Sequence, residues 1–256
     1  MIANYHTHTW RCGHATGSER EYVEQAIQAG IRILGFSDHT PCPFPGDYAS
    51  YFRMGLDQAE DYFTTVSDLK QEYAGEIEIR IGVESEFYPA CFEALLRLLE
   101  GYPCEYLLMG QHFIRNEFDG VYSGSRTMDE AVLVQYVSQV LEGLKTGTFT
   151  YLAHPDLLNW RGDEAVYDRE MERLCRGAKA LGLPLEINLL GLYDCRHYPA
   201  LRFWQIAGQV GNEVILGCDA HQPEALNRPQ VEAEARSFAA AQGITLLDTV
   251  ELKSIF

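Results

Sequence analysis

Eight histidines are spread along the chain, and six of them fall at or just past the end of a segment that reads as a β-strand: His6, His8, His39, His112, His154 and His221. Glu84 and Asp219 occupy positions of the same kind. His6 and His8 are two residues apart on a strand, so both imidazoles project to one side. Asp219 and His221 repeat that spacing near the other end. Imidazoles on one face, with carboxylates from neighbouring strands, suit divalent transition metals. Each member alone has a plainer reading. His-x-His arises by chance, His154 before Pro155 suits a turn, His39 after Asp38 suits a helix cap, and Glu84 could be an ordinary strand-end carboxylate. His14, in Cys12-Gly13-His14, reads alone as an exposed loop residue beside an unligated thiol. The joint placement at successive strand ends is what points to a metal centre.

The elements that must position these residues alternate almost from end to end. Strands are expected over 2–8, 31–37, 77–83, 106–109, 149–153, 185–189 and 214–216, with a closing strand over 244–250. Helices are expected over 18–29, 56–73, 92–99, 128–144, 165–181 and 231–241, and one more before residue 214. Ser18 with Glu21 three residues later reads as a capping box, and Gly30 as the helix stop. A loop rich in proline, Pro41 to Gly46, is long enough to be a lid or to touch a substrate. Alternating strands and helices imply βαβ units and a parallel sheet. Seven or eight such units favour a closed barrel, whose strand ends converge on one face where the site is built. Residues far apart in sequence, from His8 through Glu84 to Asp219, would meet there.

Composition narrows the function. Residues 1–256 are treated as a single domain, with 46% hydrophobic residues supplying a sizeable core. Seven cysteines include no Cys-x-x-Cys pair, which speaks against a disulfide framework or a zinc ribbon and for reduced thiols in the cytoplasm. The start of the chain shows no basic and apolar leader pattern, and no apolar run is long enough to cross a membrane. Lys and Arg total 20 against 37 Asp and Glu, so the surface repels long nucleic acids. A small phosphate ester held by local cations remains compatible with that charge.

The order His6-x-His8, His14, Ser37-Asp38-His39, Gly82-Val83-Glu84, His112, His154-Pro155-Asp156 and Cys218-Asp219-Ala220-His221 resembles the PHP (polymerase and histidinol phosphatase) family. The His-Thr-His-Thr start, Gly-Phe-Ser-Asp-His, Arg53-Met54 after the proline loop and Glu186-Ile187-Asn188 look like its histidinol-phosphate phosphatase branch. The resemblance runs from about residue 4 to residue 222. It implies a distorted (β/α)7 TIM-like barrel and a site for three divalent ions, Zn, Fe or Mn. One ion would be held by His6, His8, Glu84 and Asp219, a second by Glu84, His112 and His154, and a third by His14, His39 and His221.

The implied chemistry is hydrolysis of a small phosphate monoester, L-histidinol phosphate first among them. A water shared by two ions would supply hydroxide as nucleophile at neutral pH, while a local charge of roughly +3 would attract the phosphate dianion. Arg161 and His197 would hold the outer phosphoryl oxygens, with Arg196 as a second cation of the loop after the sixth strand. His197 or a water would protonate the leaving alcohol. Glu86 and Asp156 are the expected partners of the substrate's amine and imidazole, and Arg53 is grouped with the substrate contacts. Plain loop arginines are the alternative reading of Arg161 and Arg196, and the loop Gly191 to His197 departs from the branch's familiar form. Three rivals stand beside this reading. The same nine ligands would serve a nucleotide or short oligonucleotide. An amidohydrolase barrel also begins with His-x-His, but commonly uses a bridging lysine where this chain offers Glu84. The third is a barrel whose metals serve stability or regulation; PHP modules inside larger polymerases sometimes lose ligands and catalysis, whereas here no ligand is replaced.

Overall fold

The computed structural model describes residues 1–256. Nine strands run in chain order as β1 (Ala3–Asn4), β2 (Ile33–Phe36), β3 (Glu78–Ser85), β4 (Tyr106–Met109), β5 (Phe113–Ile114), β6 (Val121–Tyr122), β7 (Phe149–Leu152), β8 (Leu185–Asn188) and β9 (Val214–Gly217). Eight helices are α1 (Glu19–Gln28), α2 (Ala59–Glu72), α3 (Phe92–Leu99), α4 (Glu130–Leu144), α5 (Glu164–Ala180), α6 (Leu189–Tyr193), α7 (Leu201–Val210) and α8 (Pro229–Ala241). The main sheet has seven strands in the order β1-β2-β3-β4-β7-β8-β9, all paired in parallel. Short apolar strands buried on both faces are what such a sheet requires, and β4, β7, β8 and β9 are buried throughout.

The two edges meet just past the strands. The His8 N–H donates to the Ala220 carbonyl at 2.9 Å, and the Ala220 N–H to the His6 carbonyl at 3.2 Å. The Cys218 N–H donates to Asn4 Oδ1 at 2.8 Å. The sheet is thus a nearly closed, distorted seven-stranded barrel, closed by the residues that carry His6, His8 and Asp219.

Local signals explain the helix positions. Ser18 and Glu21 form the reciprocal capping box ahead of α1, and Gly30 takes the left-handed conformation that ends it. Asp129 and Asp163 cap α4 and α5 with their carboxylates. Two expectations are corrected. Residues 244–250 do not form a strand: β9 already has β8 on one side and the β1 end on the other, so only Leu246 bridges to Val214. The first strand stops at Asn4, because the backbone from Thr7 onward pairs with Ser37 and with Ala220 instead. The hairpin of β5 and β6 and the short α6 were not foreseen.

Most apolar side chains pack between barrel and helices, and a smaller group, including Tyr5, Tyr106, Leu108, Tyr151 and Ile215, fills the barrel interior. Tyr106 lies across that interior where Gly82 leaves room for its ring, and its hydroxyl donates to the carbonyls of Tyr5 (2.7 Å) and Phe36 (3.0 Å). Tyr106→Phe leaves two buried carbonyls without this donor. It is expected to lower the unfolding free energy by about 1–3 kcal/mol in urea titration with an unchanged slope; unaltered stability would contradict this role.

Candidate metal centre

Glu84 lies within the last turn of pleat of β3 and is 1% exposed. Its Oε1 is 2.9 Å from His154 Nε2 and 3.6 Å from His112 Nε2. Its Oε2 is 3.1 Å from His39 Nδ1 and 3.5 Å from Nε2 of both His6 and His8. Asp219 Oδ1 is 3.0 Å from His8 Nε2 and 3.5 Å from His6 Nε2. Gly110 makes this packing possible, since a Cβ there would fall on the Glu84 carboxylate. His154 and Asp219 adopt positive φ, 29° and 48°, a strained conformation that functional sites tend to retain.

Seven of the eight histidines, with Glu84 and Asp219, therefore occupy one region. Donor atoms of His14, His39 and His221 lie within 4.8 Å of one another, as do those of His6, His8 and Asp219, of His6, Glu84 and His154, and of His8, His39 and Glu84. His8, Cys12 and His221 form one further grouping of that size. A cavity of about 800 Å³ opens onto the region, with His14, His39, His112, His154, Asp219 and His221 in its wall.

The outer nitrogens are held from behind, which sets the tautomers. His6 Nδ1–H donates to Glu186 (2.8 Å), whose other oxygen accepts from Asn188. His8 Nδ1 faces Asp38 at 3.4 Å, and His112 Nδ1 faces Glu86 at 2.9 Å. His14 and His221 use Nδ1 on the carbonyls of Cys12 (2.9 Å) and Asp219 (3.0 Å). Their Nε2 atoms, left with lone pairs, then oppose each other at 3.1 Å. His6 Nε2, His8 Nε2, His39 Nδ1, His154 Nδ1 and Glu84 Oε2 are buried with no hydrogen-bond partner. Buried polar atoms without partners are costly, and lone pairs aimed at one another call for a cation. The donor set fits divalent metal ions.

Titration follows the same geometry. Burial lowers the affinity of His8 for a proton, but the neighbouring carboxylates of Asp219 and Asp38 outweigh it and push the group up to about 9. His6 is likewise raised, its burial outweighed by Glu186, Asp219 and Glu84. Burial, then the neighbouring His8, lowers His221 to about 3, and burial also lowers His14 and His39.

Several expected substrate contacts lie elsewhere. Arg53 is 5% exposed, with its guanidinium on Glu86 (3.0 Å), Glu117 (2.8 Å) and the Thr40 carbonyl (3.0 Å). Glu86, 3% exposed, is spent between Arg53 and His112 and supports that imidazole rather than facing the mouth. Asp156 is buried, accepts from the Ala200 N–H (2.6 Å) and Trp204 Nε1–H (3.0 Å), and ties down the start of α7; burial raises its carboxyl to about 6. Arg161 and His197 line a separate hollow with Trp160 and Arg202, and His197 Nε2 is engaged by the Leu157 carbonyl at 2.7 Å. Arg196 does line the main cavity, paired with Asp194 (2.9 Å) and donating to the Tyr198 hydroxyl (2.9 Å).

Sequence reading missed Arg228, which lines the cavity with its guanidinium over the Tyr193 ring at 3.4 Å, and the aromatic wall of Tyr51, Phe52, Phe113, Tyr122 and Tyr193. These aromatics lie in loops or in the short β5, β6 and α6, too short to show a period, whereas Glu186 is singled out only as part of the Glu186-Ile187-Asn188 motif.

Residues 4–190 match the family model for the PHP domain. The chain belongs to the PHP family. Among its relatives, a probable histidinol-phosphatase of Deinococcus radiodurans is 31% identical over 234 residues, covering 87% of each chain. One of Schizosaccharomyces pombe is 31% identical over 284 residues, covering 98% of this chain and 90% of the relative. A solved histidinol phosphate phosphatase from Lactococcus lactis, complexed with zinc, L-histidinol and phosphate, superposes with a TM-score of 0.75 at 18% identity, covering 98% of each chain. That structure has the same fold. The branch and the barrel expected from sequence agree with these findings.

Metal uptake must displace the proton that His8 holds up to about 9. Between about pH 6.5 and about pH 9 the apparent affinity for Zn or Mn is therefore expected to rise with pH, with net proton release in calorimetry across buffers of different ionisation enthalpy. Loading that is independent of pH and of buffer would contradict the arrangement.

Proposed function

We propose that this chain, as one phosphoesterase unit over 1–256, hydrolyses L-histidinol phosphate to L-histidinol and phosphate with divalent metal ions. The observation that carries this reading is the gathering of nine metal-competent side chains, several with unpartnered buried donor atoms, under one cavity. Relatives named as histidinol-phosphatases support the substrate.

His6, His8, Glu84 and Asp219 would hold one ion, Glu84, His112 and His154 a second, and His14, His39 and His221 a third, with Zn, Fe or Mn as the metals. Such ions supply hydroxide at neutral pH and screen the charge of the phosphoryl group. The chain's own residues do the rest. Glu186, Asp38 and Glu86 hold imidazoles in the orientation that presents Nε2 to the centre. Arg196, steadied by Asp194 and Tyr198, and Arg228, stacked on Tyr193, are the cations on the cavity wall available to a phosphate dianion. The position of Arg161 and His197 in the adjoining hollow favours these two over them. The flat faces of Tyr51, Phe52 and Phe113 suit an imidazole ring. Reduced cysteines and the small phosphorylated substrate make a cytoplasmic location part of the same proposal. No helix is long and apolar enough to cross a membrane.

The test is phosphate release from L-histidinol phosphate against a panel of nucleotides and sugar phosphates, after chelation and after reloading with Mn or Zn. The expected result is a kcat/KM for L-histidinol phosphate at least ~100-fold above the panel, abolished by chelation and restored by metal. Equal or faster turnover of a nucleotide would keep the chemistry and overturn the substrate.

A further inference from the structure

Two thiols outside the metal centre have no part in the chemistry above. Cys42 lies in the proline loop after β2, and Cys91 caps the start of α3; their sulfurs are 3.4 Å apart. The other five cysteines have no second cysteine as hydrogen-bond partner, and Cys195 alone among the seven is exposed. Cys91 is 6% exposed, but it lines a surface hollow of about 250 Å³ with Pro45, Pro89, Arg115 and Phe118, large enough to admit a small oxidant. Cys42 is half-buried.

We infer that Cys42 and Cys91 form a redox-modification site, a dithiol that closes to an intramolecular disulfide when a peroxide or a small disulfide enters the hollow beside Cys91. Sulfurs already in contact need only a small approach to reach bonding distance near 2.05 Å. The hydrogen bond from Cys42 holds the Cys91 thiol below its ordinary range against its burial, and the charge of Arg53 acts the same way. Cys91 lines the hollow and Cys42 does not, so Cys91 is the thiol that meets the oxidant first.

The balance with a peroxide is direct. The Cys91 thiolate attacks one peroxide oxygen, the O–O bond breaks, and hydroxide leaves and is protonated to water, giving a sulfenic acid. The Cys42 sulfur then attacks the Cys91 sulfur, its proton goes to the departing hydroxyl, and a second water leaves. Two thiols have lost two electrons, and one peroxide has become two waters. With a disulfide such as oxidised glutathione, Cys91 forms a mixed disulfide and releases one thiol, and Cys42 displaces the other.

The bond has a structural consequence. The segment that begins at Cys42 carries Tyr51 and Phe52 into the wall of the metal cavity, and Tyr51 is 85% exposed. Tying Cys42 to the start of α3 removes freedom from that segment and closes a long loop in the unfolded chain.

The full metal-loaded protein is treated with hydrogen peroxide, or with oxidised glutathione, and digested without reduction for mass spectrometry. The expected result is a linked pair of peptides carrying Cys42 and Cys91, a loss of about 2 Da, and full reversal by dithiothreitol. The melting temperature of the oxidised form is expected to rise by about 5 °C, and Cys195→Ser should change none of this. In Cys42→Ser the Cys91 adduct should persist, as a glutathione mixed disulfide or a sulfenic acid trapped by a nucleophilic probe. Three results overturn the inference: both thiols still titratable when Cys195 is fully modified, a disulfide joining any other pair, or a stable Cys91 adduct in the unsubstituted protein.

Discussion

A carboxylate with no solvent and no fixed cation is the constraint on which this structure turns. Glu84 sits inside the barrel mouth with imidazole nitrogens on every side, and neither lysine nor arginine reaches it. Burial alone would drive its proton affinity up, yet the surrounding histidines hold it well below the ordinary carboxylate range. Removing a charge from water costs several kcal/mol unless it is compensated. Without metal, the only compensation is protons on histidines that are themselves buried. Divalent ions settle both deficits, because they satisfy the carboxylate and the unpartnered nitrogens together.

The barrel is arranged to meet that constraint. Gly110 clears the space the carboxylate fills. Closure between β1 and β9 runs through the backbone of His6, His8 and Ala220, so the hydrogen bonds that shut the barrel also set the spacing of four candidate ligands, His6, His8, Asp219 and His221. Behind them lies a row of buried polar groups, Glu186 with Asn188, Asp38 with Thr9, and Glu86 with Arg53 and Glu117, each orienting one imidazole. Such groups are costly singly and rigid together.

How far this was legible in the sequence depends on the type of signal. Strand-end histidines could be read because a barrel brings equivalent positions of successive units to one face. The start of α1 could be read because Ser18 and Glu21 form a capping box, whereas the caps Asp129 and Asp163 emerge only from the structure. Residues 244–250 have the composition of a strand, but pairing is a property of available edges, which composition does not encode. Glu86 and Asp156 are expected near the mouth because the substrate carries an amine and an imidazole, and Arg53 among the substrate contacts, but each is consumed by a buried partner contributed from a distant segment. Arg228 and the aromatic wall went unseen because they lie in loops or in elements of two to five residues, too short to carry a period.

Glu84 is therefore the residue to remove. Glu84→Gln keeps the shape of the side chain and deletes the charge, and elemental analysis of the purified variant reports bound metal per chain directly. With the three-ion arrangement proposed above, two of the ions are expected to be lost, since Glu84 would be shared between the His6–His8 and His112–His154 positions, while an ion held by His14, His39 and His221 would stay. Full metal content in Glu84→Gln, with turnover unchanged, would contradict a centre organised around this carboxylate.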